Sequence, residues 1–92
     1  MAYEIELDEQ PYEVLDQLQK ANDPIADVID RWLDLIEADP GAKAARPRLI
    51  RPGAVWAISI TIPGVSEKWL LLWELDGQTP RVRFLGPDRL GL

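Results

Sequence analysis

The sequence of 92 residues contains no cysteine and no histidine. The lack of cysteine excludes disulfides and thiolate chemistry, and nothing in the chain indicates an oxidising compartment. The lack of histidine removes the usual general base, the commonest zinc ligand and the Ser-His pair of many hydrolases. We therefore expect no metal site and no other cofactor.

Long apolar stretches are also missing, since no run reaches the length needed to cross a membrane. The acidic N-terminal residues do not have the form of a signal peptide. Hydrophobic residues nevertheless make up 47% of the chain and include four tryptophans, which is typical of a folded domain. We expect a single domain over residues 1–92, located in the cytoplasm and not bound to a membrane.

Basic residues are scarce in the first part of the chain. Residues 1–40 contain twelve acidic residues and only Lys20 and Arg31 as bases, a balance of −10. Residues 41–92 contain eight bases and four acids, a balance of +4, so the net charge is −6. Three interpretations stay open: two faces with different partners, one face that binds a polyanion, or neutralisation of one half by the other in the fold.

The most apolar stretch, residues 68–75, carries large apolar side chains at both odd and even positions. Turn residues flank it, with Pro63-Gly64 before and Asp76-Gly77 after. This pattern predicts a central strand with both faces covered, although a short buried helix would look the same. We expect one face to lie on the domain's own core and the other under a loop, a tail or a partner.

A strand and two helices are predicted before this stretch. Residues 3–7 alternate and predict a short strand, and residues 8–21 have the acidic start and apolar spacing of a helix. Asp23-Pro24 provides the N-cap and the first residue of a second helix, which ends at Asp39-Pro40-Gly41. The apolar residues of the second helix recur at helical spacing: Ile25, Val28, Ile29, Trp32, Leu33 and Ile36. The short connection predicts an antiparallel helix hairpin.

The C-terminal half completes the predicted sheet. Residues 41–53 are interpreted as a basic loop, partly extended around Leu49-Ile50. Residues 55–62 and 81–85 alternate and predict strands on either side of the central one, joined to it by turns. The predicted fold is α+β: an N-terminal strand, a two-helix hairpin and a three-stranded antiparallel meander.

The helix hairpin is expected to cover one face of this sheet. The side chains expected on that face are Tyr3, Ile5, Trp56, Ile58, Ile60, Trp69, Leu71, Trp73, Val82 and Phe84. An even-numbered turn after the central strand places Arg81 and Arg83 on the opposite face. Leu70 and Leu72 lie beside them and form an apolar patch. Such a patch indicates a partner-binding interface, unless the tail residues Leu90 and Leu92 fold back over it.

Five short segments carry a resemblance to a known family. They are Tyr3-Glu4-Ile5-Glu6-Leu7, Leu35-Ile36-Glu37-Ala38-Asp39-Pro40, Arg48-Leu49-Ile50-Arg51, Val55-Trp56-Ala57-Ile58 and Val82-Arg83-Phe84-Leu85-Gly86. Their order and spacing resemble those of the RelE/ParE superfamily of toxins from bacterial toxin–antitoxin modules. The resemblance covers nearly the whole chain.

The resemblance implies a cognate antitoxin as partner and one of two targets. RelE-like members cut mRNA on the ribosome without a metal, using Lys and Arg to bind phosphates and to assist attack by the ribose 2′-OH. ParE-like members act on DNA gyrase. For a ribosome-dependent endoribonuclease, the candidate catalytic residues are Arg81, Arg83 and Arg89, of which only Arg89 lies near a catalytic arginine of the family. The implied RNA-binding residues are Lys43, Arg46, Arg48, Arg51 and Lys68.

The chain also departs from the RelE pattern. Ala57 and Ser59 stand where RelE nucleases carry lysines on the second strand, and Leu70 stands where an arginine is expected. The alternative is therefore a catalytically degenerate domain of the same fold that binds protein through Leu70 and Leu72, or a gyrase-type toxin without nuclease activity.

From the residues themselves, the roles of the bases stay open. Arg81 and Arg83 either bind phosphates or are edge-strand charges that discourage aggregation, with Glu74 as a cross-strand partner. The four bases between residues 43 and 51 either contact RNA or an acidic antitoxin, or belong to a solvated loop that pairs with the acidic helices.

Overall fold

In a computed structural model, the described part of the chain forms two helices and a five-stranded mixed sheet. The structure describes residues 5–39, 41, 48–50, 55–62, 64 and 66–88, with residues 48–50 described by their backbone. The elements are β1 (Glu6–Leu7), α1 (Glu9–Lys20), α2 (Pro24–Ala38), β2 (Arg48–Ile50), β3 (Val55–Ile60), β4 (Trp69–Asp76) and β5 (Thr79–Pro87). The predicted α+β class is confirmed.

The helix hairpin forms where the sequence predicts it. Pro24 is the first residue of α2, and the Oδ1 atom of Asp23 accepts a hydrogen bond from the N–H of Ile25 at 3.0 Å. This capping bond satisfies one of the free donors at the helix start. Between the helices, Asn22 takes a left-handed backbone conformation with φ of 53°, which asparagine tolerates better than most residues. The tight turn therefore follows directly from Asn22-Asp23-Pro24.

The strand order across the sheet is β1-β5-β4-β3-β2. Strands β2 to β5 form an antiparallel meander, and β1 lies parallel to β5 at one edge. The meander has four strands and not the predicted three, because Arg48–Ile50 pairs with β3 instead of belonging to a loop. The aliphatic Leu49 and Ile50 have strand propensity, and a short edge strand accepts a charged residue.

The core lies between the helices and one face of the sheet. Ile58, Ile60, Leu71, Trp73 and Val82 are almost completely buried on that face, as predicted. The helices contribute Leu15, Ile25, Ala26, Ile29, Leu33 and Ile36. Four residues expected in the core, Ile5, Val28, Trp32 and Trp56, are only half-buried and pack against it. Tyr3 lies outside the described residues.

A β-bulge in β5 changes the predicted alternation. Leu72 is paired with Phe84 and Trp73 with Val82 in the sheet register, so no residue of β4 is paired with Arg83. The extra residue reverses the parity of the strand beyond it. Leu85 is therefore in the core, and the expectation that Phe84 belongs to the core face is wrong, because Phe84 is half-buried and outside the core cluster.

The bulge also changes the neighbours of the two leucines. Gly86 lies opposite Leu70 and Phe84 lies opposite Leu72, so the prediction that Arg81 and Arg83 lie beside these leucines is wrong. Leu70 is 0% exposed, which corrects the expectation of an exposed apolar patch, and Leu72 is half-buried. The predicted cover by Leu90 and Leu92 falls on residues outside the described part of the chain.

Candidate functional site

Only some of the predicted site residues fall in the part of the chain that the structure describes. Arg81, Arg83 and Lys68 are described in full, and Arg48 by its backbone in β2. The remaining candidates, Lys43, Arg46, Arg51 and Arg89, lie outside the described residues. The candidate functional site therefore consists of the two arginines of β5 and the residues that surround them.

Arg81 lies between three carboxylates. Its Nη2 atom is 2.7 Å from Oε2 of Glu6 and 3.0 Å from Oδ2 of Asp76. Its Nη1 atom is 3.4 Å from Oδ1 of Asp8. Parallel pairing of β1 with β5 sets Glu6 directly beside Arg81, and the β4–β5 hairpin brings Asp76 close from the other side. Only 27% of the Arg81 side chain is exposed.

Arg83 is held by two carboxylates. Its Nε atom donates a hydrogen bond to Oε1 of Glu74 at 2.6 Å, and its Nη2 atom also contacts that oxygen. Its Nη1 atom donates to Oδ2 of Asp8 at 3.1 Å. Asp8 thus bridges the two arginines, and we call the set Glu6, Asp8, Glu74, Asp76, Arg81 and Arg83 the ion-pair cluster.

In the ion-pair cluster, the pKa values of Asp8, Arg81 and Arg83 are shifted in the direction that keeps these three groups charged. Hydrogen bonding from Arg83, and more weakly from Arg81, holds the pKa of the Asp8 carboxyl below its ordinary value of 3.8. Hydrogen bonding to Asp8 raises the pKa of Arg81, and hydrogen bonding to Glu74 raises that of Arg83. With four carboxylates and two guanidinium groups, the cluster has a formal charge of −2.

This charge state disfavours phosphate binding. A phosphate would have to displace carboxylates that already bind both guanidinium groups, and it would meet the remaining negative charge. The Nε atom of Arg81 has no hydrogen-bond partner, but it is buried. Of the alternatives left open by the sequence, pairing with Glu74 is confirmed, and Glu6, Asp8 and Asp76 join it. Glu6 and Asp8 were missed because the sequence does not show that β1 pairs with β5. Asp76 was missed although it lies in the predicted hairpin between β4 and β5.

Lys68 is not part of this cluster. It is exposed next to the start of β4, where its carbonyl oxygen accepts a hydrogen bond from the N–H of Asp88 at 2.8 Å. Glu74 lies six positions further along the chain in β4, which corresponds to a distance of about 20 Å in an extended strand. The structure therefore does not bring Lys68 together with Arg81 and Arg83.

A second polar feature without a sequence signal lies at the free side of β5. The side-chain amide of Gln10 donates to the carbonyl oxygen of Leu85 at 2.7 Å and accepts from its N–H at 3.0 Å. Gln10 thus satisfies the outward backbone groups of β5 where β1 no longer pairs with it. Because β1 pairs only with Arg81 and Val82, a side chain of α1 can bind the β5 backbone at Leu85.

Neither described helix is long and apolar enough to cross a membrane. Within the described residues, no group of three acidic side chains is arranged to hold a metal ion. No protein-family model matches the chain, and comparison with curated proteins and with solved structures gives no match.

Proposed function

We propose that the protein is a RelE/ParE-type, toxin-like protein that acts by binding other proteins, with a cognate antitoxin as its first partner, and does not cut mRNA. One observation carries the proposal: Arg81 and Arg83, the two described candidates for catalysis, are both bound by carboxylates in the ion-pair cluster. The element order of strand, two helices and antiparallel meander agrees only in part with the order that the resemblance implies, because Arg48–Ile50 adds a fourth strand to the meander.

The charge requirements of RNA cleavage support the same proposal. A metal-independent ribonuclease needs cationic groups that are free to meet the phosphate as charge develops in the transition state. In the ion-pair cluster these groups are already paired, and the net charge of the chain is −6. An acidic protein gains little from the electrostatic attraction that dominates binding to RNA. A protein partner has no such requirement.

A second candidate function is that of a ribosome-dependent endoribonuclease. The observation that favours it is the density of bases between Lys43 and Arg51, with four bases in nine residues. In that case Arg46, Arg48 and Arg89 would contact the RNA.

The test is expression of the chain in bacteria without neighbouring reading frames, followed by mapping of mRNA 5′ ends. The proposal predicts intact mRNA. New ends within translated codons that are absent from cells with the empty vector would contradict it. Growth arrest with intact mRNA would direct the next assay to supercoiling by DNA gyrase, the target of the ParE-like alternative.

The antitoxin part of the proposal has its own test. Co-expression with the adjacent reading frame is expected to give a complex that co-elutes in gel filtration. Separate elution of two folded proteins would contradict it.

A further inference from the structure

An apolar groove runs between α1 and the C-terminal half of β5. Val14 and Leu18 of α1 line one side, and Phe84, Leu85 and Pro87 of β5 line the other. Trp69 of β4 also lines the groove. The groove has a volume of about 480 Å³, within the range of ligand-binding clefts. It exists because β1 pairs only with Arg81 and Val82, so α1 is the neighbour of β5 beyond that point.

The backbone of β5 cannot take an added strand in this groove. The N–H and C=O of Leu85 are both bound by Gln10. Pro87, the next residue with the same orientation, has no N–H to donate. An occupant must therefore be held by its side chains, as an amphipathic helix is held in an apolar groove.

The charged residues next to the groove indicate which charge the bound helix should carry. Gln10 also lines an adjoining hollow of about 500 Å³, whose other lining residues are Asp8, Glu9, Glu13 and Arg83. Arg83 and Asp8 belong to the ion-pair cluster. Glu9 and Glu13 are exposed and have no ion pair with any described residue. Residues 8–39 as a whole carry ten acids and two bases.

We propose that this groove binds a cationic amphipathic helix of a partner protein. The groove-lining part of α1, from Gln10 to Leu18, is about 12 Å long, which matches about two turns of a bound helix. Apolar side chains at positions i, i+3 or i+4 and i+7 of that helix fill the groove. A lysine or arginine at its end meets Glu9 and Glu13. The inference rests on the proposed protein-binding function and specifies the partner's chemistry.

The probe is a labelled helical peptide of about 14 residues, with leucines at that spacing and lysines on the flanks. Its twin carries glutamates in place of the lysines. Fluorescence anisotropy with the full chain is expected to show at least about tenfold tighter binding of the lysine peptide. The double variant Glu9→Gln/Glu13→Gln should reduce this difference without changing the apolar groove.

The apolar contribution is tested at constant charge. Val14→Ala/Leu18→Ala should weaken binding of the lysine peptide by about tenfold or more, since both side chains line the groove. The control is Tyr12→Ala, which truncates an exposed aromatic residue of the same helix that does not line the groove. Should the double variant lose its near-UV circular dichroism, Gln17→Trp adds bulk at an exposed lining position and should also weaken binding.

Equal binding of the two peptides, no binding of the lysine peptide, or a folded groove variant that binds as well as the wild type would overturn the proposal. The last result would mean that charge alone attracts the peptide. The mRNA assay is independent of these measurements. Cut mRNA with selective peptide binding would remove the proposed function and keep the groove, whereas intact mRNA without peptide binding would remove the groove alone.

Discussion

At the scale of single residues, Asp8 shows how one side chain serves distant parts of the chain. It is the N-cap residue of α1, yet its carboxylate makes no capping hydrogen bond. It is bound by Arg81 and Arg83 of β5, while its backbone N–H donates to the carbonyl oxygen of Val82 at 2.9 Å. Asp8 therefore ties the start of the helix hairpin to β5, the strand that lies next to β1 in the sheet.

Asp8→Asn should make the stability of the protein less dependent on acid pH. Because the folded pKa of Asp8 lies below 3.8, its carboxylate stabilises the fold above that pH. This contribution is lost as the pH falls from about 4 through the folded pKa. Urea unfolding of the wild type and Asp8→Asn from neutral to acid pH measures the effect. The variant should be less stable at pH 7, with a shallower loss below pH about 4.

The control is Asp34→Asn, which removes an exposed carboxylate on α2. It should change the free energy of unfolding by no more than about 0.5 kcal/mol. Parallel curves for wild type and Asp8→Asn down to the lowest pH would contradict the assigned role of Asp8.

Gln10→Ala should destabilise the fold by about 1–2 kcal/mol, because it leaves the buried N–H and C=O of Leu85 without their partners. Gln17→Ala removes the same side chain from an exposed position of the same helix, and should change stability by less than about 0.5 kcal/mol. Chemical denaturation of both variants measures the difference. Equal values would mean that water replaces the Gln10 amide without penalty.

At the scale of elements, β4 and β5 show what the sequence predicts and what it does not. The apolar run from Trp69 to Leu75 and the turn at Asp76-Gly77 predict the strand and its hairpin, and Gly77 takes the left-handed φ of 66° that such a turn requires. The bulge at Arg83 has no such signal. Alternation in Val82-Arg83-Phe84-Leu85 fits two registers, and the packing of Leu85 against the helices decides between them.

The other misses have the same physical origin. Whether Arg48–Ile50 forms a strand depends on pairing with β3, a contact between separate parts of the chain. The partners Glu6 and Asp8 of the arginines depend on β1 lying beside β5. Local periodicity predicts elements well here, whereas pairings between distant segments, and the site that they create, follow only from the assembled sheet.

Leu70→Ala tests the corrected environment of β4. Since the Leu70 side chain is 0% exposed, its truncation should lower the free energy of unfolding by about 2–5 kcal/mol. Leu75→Ala is the matched control on the same strand, where 39% of the side chain is exposed, and should have a much smaller effect. Denaturant unfolding of the isolated protein measures both. A decrease of less than about 0.5 kcal/mol in the free energy of unfolding for Leu70→Ala would mean that Leu70 behaves as a surface residue.

At the scale of the whole molecule, the opposite charges of the two halves are partly neutralised inside the fold. Glu6 and Asp8 of the acidic half bind Arg81 and Arg83 of the basic half. The two helices keep most of the negative charge on their own side of the sheet. A molecule with this distribution should attract cationic partners and repel nucleic acid from its helical side.

The affinity of the protein for RNA tests most directly whether carboxylates keep Arg81 and Arg83 from binding phosphates. Fluorescence anisotropy with a short labelled single-stranded RNA, at low ionic strength, compares the wild type with Asp8→Asn/Glu74→Gln, which removes two carboxylates that hold the arginines. Because carboxylates bind Arg81 and Arg83, we expect no saturable binding of RNA by the wild type and a gain of affinity in the double variant. Tight binding by the wild type that disappears in Arg81→Ala/Arg83→Ala would contradict it, because the arginines would then be available to RNA despite their carboxylate partners.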